Sequence, residues 1–129
     1  MSKRDIFTGE QTQRIIDWVE NQYGERLEFL WAETPDCAIW RHRASKKWYG
    51  VIMKVQRAKI TGQGEQKVEI LDLRYQRDLL PDFLRYEQGA FPGWHMNKDN
   101  WLTVIFDEKW TDEKIENLIT NSREIAANK

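Results

Sequence analysis

The apolar positions of the chain fall into two helical stretches near its ends and a series of strand-like segments between them. Ile15, Ile16, Val19 and Tyr23 recur at helical spacing, with Trp18 beside them. Thr8 followed by Gln11 fits a capping box, so this spacing predicts a helix from Thr8 that ends at Gly24, a residue suited to a left-handed cap. Leu27, Phe29, Leu30 and Trp31 make a short apolar cluster, strand or irregular, before Pro35, and Thr34 ahead of that proline is expected to be extended. Cys37–Arg43 and Lys47–Val55 are rich in Trp, Tyr, Ile and Val, which predicts two strands joined at Ala44-Ser45-Lys46. Strict alternation from that turn puts Ile39, Trp48 and Ile52 on one face, and Trp40, Tyr49, Val51 and Met53 on the other. A register slip of one residue exchanges the two faces.

Further along, Gln56–Lys67 contains Gly62-Gln63-Gly64 and reads as a loop, and Val68–Arg74 as a strand. In Tyr75–Glu87, Leu79, Leu80, Phe83 and Leu84 lie near helical spacing, and Pro81 predicts a short helix broken or restarted there. Pro92-Gly93 supplies a turn, and Asn97 to Asn100 a second one with Trp94 and Trp101 on either side. This predicts a hairpin over Gly93–Phe106 with Lys98-Asp99 at its polar tip. Thr111 is a good N-cap for a last helix, with Asp112 and Glu113 favourably placed against the helix dipole. Ile115, Leu118, Ile119, Ser122 and Ile125 trace its inner face. The expected architecture is an α+β fold forming a single domain over residues 1–129. In it, an antiparallel sheet of about five strands packs against the N- and C-terminal helices.

Composition narrows the class. With 129 residues, 40% hydrophobic and 32% charged, the chain suits one soluble globular domain that needs no covalent staple. Cys37 is its one cysteine, which excludes an intramolecular disulfide and an all-cysteine metal site. Met1–Phe7 is polar and no apolar run is long enough to span a bilayer, so a cytoplasmic protein without membrane contact is expected, monomeric by default. The net charge of −1 conceals an asymmetry. From Cys37 to Gly64 there is no Asp or Glu, but there are seven basic residues: Arg41, Arg43, Lys46, Lys47, Lys54, Arg57 and Lys59. The rest of the chain holds thirteen basic against twenty-one acidic groups. Such segregation suggests either an anionic partner for the basic segment or a solvated basic hairpin.

The chemistry of catalysis is thinly represented. His42, His95 and Cys37 lie at no metal-ligand spacing, and a Cys37/His95 nucleophilic pair has only residue type behind it. Gly62-Gln63-Gly64 lacks the Lys-Ser/Thr or further Gly of a phosphate loop. No catalytic residue, cofactor or metal is expected. Nucleic-acid contact has better residues. Arg41, Arg43, Lys46 and Lys47 cluster near the first hairpin tip, where they suit phosphates, while Asn97, Lys98 and Asn100 on the second hairpin suit a groove.

Pro92-Gly93-Trp94-His95-Met96-Asn97-Lys98, followed by Trp101, resembles the signature segment of the MmcQ/YjbR-like family. Leu30-Trp31, Pro35-Asp36, Arg41-His42 and Lys47-Trp48-Tyr49 match the family's first half in the same order. Ile70-Leu71-Asp72-Leu73-Arg74 sits where the family has a strand ending in a basic residue. The resemblance runs from about Ile15 to Ala127, although Arg74-Tyr75-Gln76-Arg77 departs from the family's usual Lys-Cys-Asp-Pro-like helix start. It implies a CyaY-like topology and a proposed double-wing mode of binding double-stranded DNA, the two hairpins being the wings. The frataxins, whose fold the CyaY-like fold resembles, bind iron through crowded carboxylates. Here Glu10, Asp17 and Glu20 are dispersed along the first helix, and fold alone does not transfer function. The competing expectation is a protein–protein or small-ligand binding module that uses an aromatic sheet face of Trp40, Tyr49 and Met53, with His95 nearby. A basic surface continuous across both hairpins favours nucleic acid, and a concave aromatic pocket with scattered charges favours a ligand.

Overall fold

A computed structural model describes residues 6–76 and 90–127. Helix α1 spans Glu10–Tyr23; strands β1 (Cys37–Arg41) and β2 (Trp48–Gln56) follow, then a single helical turn, α2 (Ala58–Thr61). Strands β3 (Lys67–Arg74), β4 (Ala90–Pro92) and β5 (Trp101–Ile105) complete the sheet, and helix α3 spans Asp112–Ala127. The five strands lie in the order β1-β2-β3-β5-β4, each antiparallel to its neighbour. Helix α3 packs on β2 and β3, and α1 packs on α3. The α+β class and the five antiparallel strands between terminal helices are as expected. The helix anticipated around Pro81 lies outside the described residues.

One face of the sheet is closed by the helices. Its core joins Ile15, Ile16 and Val19 of α1 and Ile115 and Ile119 of α3 to Ala38, Trp40, Tyr49, Ile52, Leu71 and Leu73. The opposite face carries a smaller cluster of Ile39, Val51 and Trp101, with Trp31, Cys37, Trp48, Met53 and Met96 packed around it. The faces therefore differ from strict alternation. A β-bulge interrupts the β1–β2 ladder at Trp40/Arg41: Trp40 pairs with Gly50, but Arg41 pairs with Trp48. The extra residue puts Tyr49 and Ile52 on the same face and leaves Val51 and Met53 on the other, because a single insertion reverses every later side chain. Gly50 fits the bulge because a Cβ there would stand 2.5 Å from the Trp40 ring.

The helix ends were legible in part. Thr111 Oγ1 accepts the Lys114 N–H (3.2 Å), and Gly24 closes α1 in the left-handed conformation at φ 70°. Thr8 does not cap α1. The N-cap is Gly9, and Glu69 of β3 takes the N–H groups of Thr8 (2.9 Å) and Gly9 (3.1 Å) on its carboxylate. Gln11, the other half of the expected capping box, reaches away to the carbonyl of Trp110 (2.8 Å). The apolar cluster after α1 contributes one antiparallel bridge, Glu28 to Ile39, rather than a strand.

The second hairpin also differs from expectation. Its strands are β4 and β5, so the first one precedes Gly93, and Gly93–Asn100 is a chain of turns. His95 adopts φ 60°, a left-handed conformation that a strand cannot contain. Asn97 Oδ1 accepts the Asp99 N–H (2.9 Å), and the Asn97 carbonyl accepts the N–H groups of Asn100 (3.1 Å) and Trp101 (3.0 Å). These local bonds hold the backbone in turns where Trp94-His95-Met96 read as extended.

Candidate ligand pocket on the open face of the sheet

The acid-free segment of the sequence is not acid-free in space. Arg41 meets Glu28 (3.2 Å), Arg43 meets Glu25 (3.6 Å), Lys54 meets Glu69 (3.7 Å) and Arg57 meets Asp107 (3.6 Å). Arg43 also donates to the Tyr23 carbonyl, and Arg41 to that of Lys46 (3.1 Å). Four of the seven basic groups thus face carboxylates brought in from other elements. Lys46 and Lys47 are exposed at the first hairpin tip, and Asn97 and Asn100 at the second. Lys98 is exposed there too, and its Nζ donates to the Gly93 carbonyl (3.1 Å).

The Glu25 carboxylate is the centre of a cluster with no signal in the sequence. It accepts from the Tyr49 hydroxyl (2.5 Å), from Nε and Nη2 of Arg123 (2.9 Å each) and from the Arg43 N–H (2.9 Å). The Arg123 guanidinium lies 4.3 Å from the Tyr23 ring centre. Burial alone raises the Glu25 pKa, but Arg123, the Tyr49 hydroxyl and the Arg43 N–H outweigh it and hold the carboxyl at about 2. The cluster joins the end of α1, the first hairpin and α3. The Tyr49 hydroxyl is spent on that junction, and Trp40 lies beneath the helices beside it with stacked rings 6.2 Å apart. Both are fully buried, so the expected exposed face of Trp40, Tyr49 and Met53 does not form; the β-bulge separates Met53 from the other two.

The open face instead holds a concave pocket of about 410 Å3. Trp31 and Trp48 form one corner, their rings 5.6 Å apart and nearly perpendicular at 84°. Trp94, His95 and Met96 of the turn segment supply another wall. Cys37, Val51 and Met53 belong to the apolar lining, and Asp36 and Lys54 add the charges. Met53 and His95 are therefore in one site, with Trp31, Trp48 and Trp94 in place of Trp40 and Tyr49. The left-handed φ of His95 and the 4.5 Å contact of its ring with Trp94 set the shape of that wall. Strain of this kind gathers where a backbone must present side chains in a fixed way.

Asp72 lies beside the pocket in the middle of β3, paired laterally with Val51 and Thr103. It is fully buried. The Thr103 hydroxyl donates to Asp72 Oδ1 and accepts the Trp94 N–H (2.8 Å), which ties the turn segment to the sheet. Oδ2 has no partner. Burial pushes the Asp72 carboxyl up to about 7, against the opposing pull of the Thr103 hydroxyl, the Trp94 N–H and the Lys98 charge. Next along that face, the Arg74 guanidinium lies 4.6 Å from the Trp101 ring centre.

Cys37 and His95 line the same pocket, so the fold brings the one conceivable nucleophilic pair into a shared site. Burial, with the charges of Asp36 and Asp72, pushes the Cys37 thiol up to about 11. That is opposite to the shift an attacking thiolate needs. Among the described residues, no three His, Cys, Asp or Glu side chains converge as a metal site, and no helix is long and apolar enough to cross a membrane.

Among the described residues, the architecture is that of an α+β protein with one sheet face covered by helices and a pocket on the other. The YjbR family model matches residues 21–125, and the chain belongs to that family. It is similar to the uncharacterised protein YyaQ of Bacillus subtilis strain 168, with 33% identity over 108 residues, or 84% of this chain and 91% of that one. A Pseudomonas syringae protein solved by crystallography shares 32% identity at a TM-score of 0.83, covering 88% of this chain and 97% of its own. The solution NMR structure from the same organism gives 32% identity and a TM-score of 0.79, covering 89% and 91%. A Deinococcus radiodurans crystal structure, at 16% identity and a TM-score of 0.63 over 92% of this chain and 77% of that one, shares the fold.

Proposed function

We propose that this YjbR-family chain is a non-enzymatic binding protein whose ligand occupies the aromatic pocket on the open face of the sheet. One observation carries the reading: a concavity of about 410 Å3, walled by three tryptophans, among the described residues. That volume lies in the range of small-molecule sites, and such sites combine apolar walls with a few placed polar groups. The raised thiol of Cys37 favours binding over nucleophilic chemistry. The test is a fragment titration followed by NMR on the indole N–H signals. Shifts confined to Trp31, Trp48 and Trp94, and diminished by Met53→Trp, support the pocket. A broad set of small aromatic and aliphatic fragments that leaves all three signals unmoved removes it.

A second reading is DNA binding by two wings, for which the exposure of Lys46 and Lys47 at one tip and of Asn97 and Asn100 at the other speaks. Phosphate contact makes affinity fall steeply with salt. The informative variant is Lys46→Ala/Lys47→Ala, because Arg41 and Arg43 hold Glu28 and Glu25 and their loss confounds folding with binding. Under this reading the wild type binds a labelled duplex at low salt and the variant has a shallower salt slope. Equal slopes, or no binding at low salt, dispose of it.

A further inference from the structure

We propose that the pocket is a cage for an alkylated ammonium group, of the kind carried by choline-like molecules; the proposal rests on the pocket reading above. Three features select this chemistry. The first is ring geometry. Trp31 and Trp48 meet nearly at right angles, and Trp94 stands on another wall, so indole faces and edges surround one volume. Indole faces attract cations, most strongly where water is excluded. The molecule already uses this attraction nearby, where Arg74 rests over Trp101.

The second feature is charge. Asp36 lines the pocket, and Asp72 lies behind Val51 with an unpartnered, fully buried oxygen. Lys54 lines it too, but its ammonium faces Glu69. Asp36 and Asp72 add to the rise that burial causes in the Cys37 thiol, so the charges that reach this wall of the pocket are carboxylates. The third feature is the lining itself. Val51, Met53 and Met96 offer no oxygen acceptors, which leaves Thr34 and Asp36 as the side-chain oxygens of the lining. A primary ammonium brings three N–H donors that need such acceptors, whereas a quaternary one brings methyl groups that suit an apolar wall.

The experiment compares three probes of similar size by NMR on the whole chain: choline, its uncharged isostere 3,3-dimethylbutan-1-ol, and ethanolamine. Choline is expected to shift the indole signals of Trp31, Trp48 and Trp94 saturably, with a preference of about tenfold over the isostere, the scale of one desolvated cation–π contact. Ethanolamine is expected to bind more weakly than choline. Asp36→Asn, at a half-buried lining position, removes the charge and keeps the side chain's size, so it should weaken choline more than the isostere and narrow the preference. A trimethyllysine peptide run in parallel identifies the source, since tighter binding than choline points to a protein-borne group. If the isostere binds as well as choline, or ethanolamine binds better, the cage is overturned and the pocket reading stands. If neither choline nor the isostere moves the three indoles, the cage is overturned, and the broad fragment set decides the pocket reading.

Discussion

Two buried carboxylates on opposite sides of one sheet have opposite fates. Glu25, on the helix-covered side, is met by a hydroxyl, a guanidinium and a backbone N–H, and its pKa is held near 2. Asp72, on the open side, has a threonine hydroxyl on one oxygen and nothing on the other, and its pKa is driven to about 7. The difference separates two uses of burial. Glu25 fastens three elements together, which is a structural task. Asp72 keeps an unmet demand for a donor beside a cavity, and a fold gains no stability from that. The unmet demand thus lies on the face that bears the pocket, and the met one on the face that the described helices cover.

The largest effect that would break this contrast lies in neighbouring residues of β2. Ile52→Ala, in the covered core, should cost about 4 kcal/mol in chemical denaturation, the upper part of the range for a fully buried isoleucine. If it costs little, the helices do not seal that face. Glu25→Gln should cost about 3 kcal/mol at pH 7, the scale of breaking a buried pair from one side. Because the folded pKa of Glu25 is depressed, this contribution is complete above the unfolded value near 4.5. It drains away as pH falls toward about 2, so wild type and variant should converge in acid.

Asp72→Asn should act in the other direction. With its folded pKa raised, Asp72 binds its proton more tightly in the folded state, so wild-type stability declines as pH climbs from about 4 to about 7. The asparagine escapes that decline and still accepts from Thr103, so the variant should gain about 2 kcal/mol on wild type at pH 8 and little at pH 4. Thermal melts at the two pH values check this, and a destabilised variant at pH 8 would mean that the carboxylate finds a partner in solution. The smallest effect belongs to Met53→Ala. Its side chain borders the pocket rather than a filled core, so a loss of about 1 kcal/mol is expected, with a larger change in ligand affinity than in stability.

Much of the fold was legible because its signals are local. The Thr111 cap, the Gly24 stop and the periodicity of Ile15, Ile16, Val19, Ile115 and Ile119 each act within a few residues. The β-bulge at Trp40/Arg41 was not legible, since one extra residue leaves composition and apolar content unchanged while reversing the faces beyond it. The pairing of the basic segment was not legible for a related reason. Its partners Glu28, Glu25, Glu69 and Asp107 belong to other elements and come close only through tertiary structure. Of the residues expected on an aromatic face, Met53 and His95 line the pocket, whereas Trp40 and Tyr49 are buried under the helices. Trp31 and Trp94 stood in quoted family motifs, but nothing local marks them as facing the same cavity as Trp48.

Glu69 carries a consequence for how α1 is held. It belongs to the middle strand of the sheet, yet its carboxylate occupies the backbone donors at the start of α1. A 14-residue helix is marginal on its own in water, and this one has no side-chain cap from its own end. Its first turn is therefore completed by docking on β3. The start of this helix is thus fastened by a residue some 60 positions further along the chain.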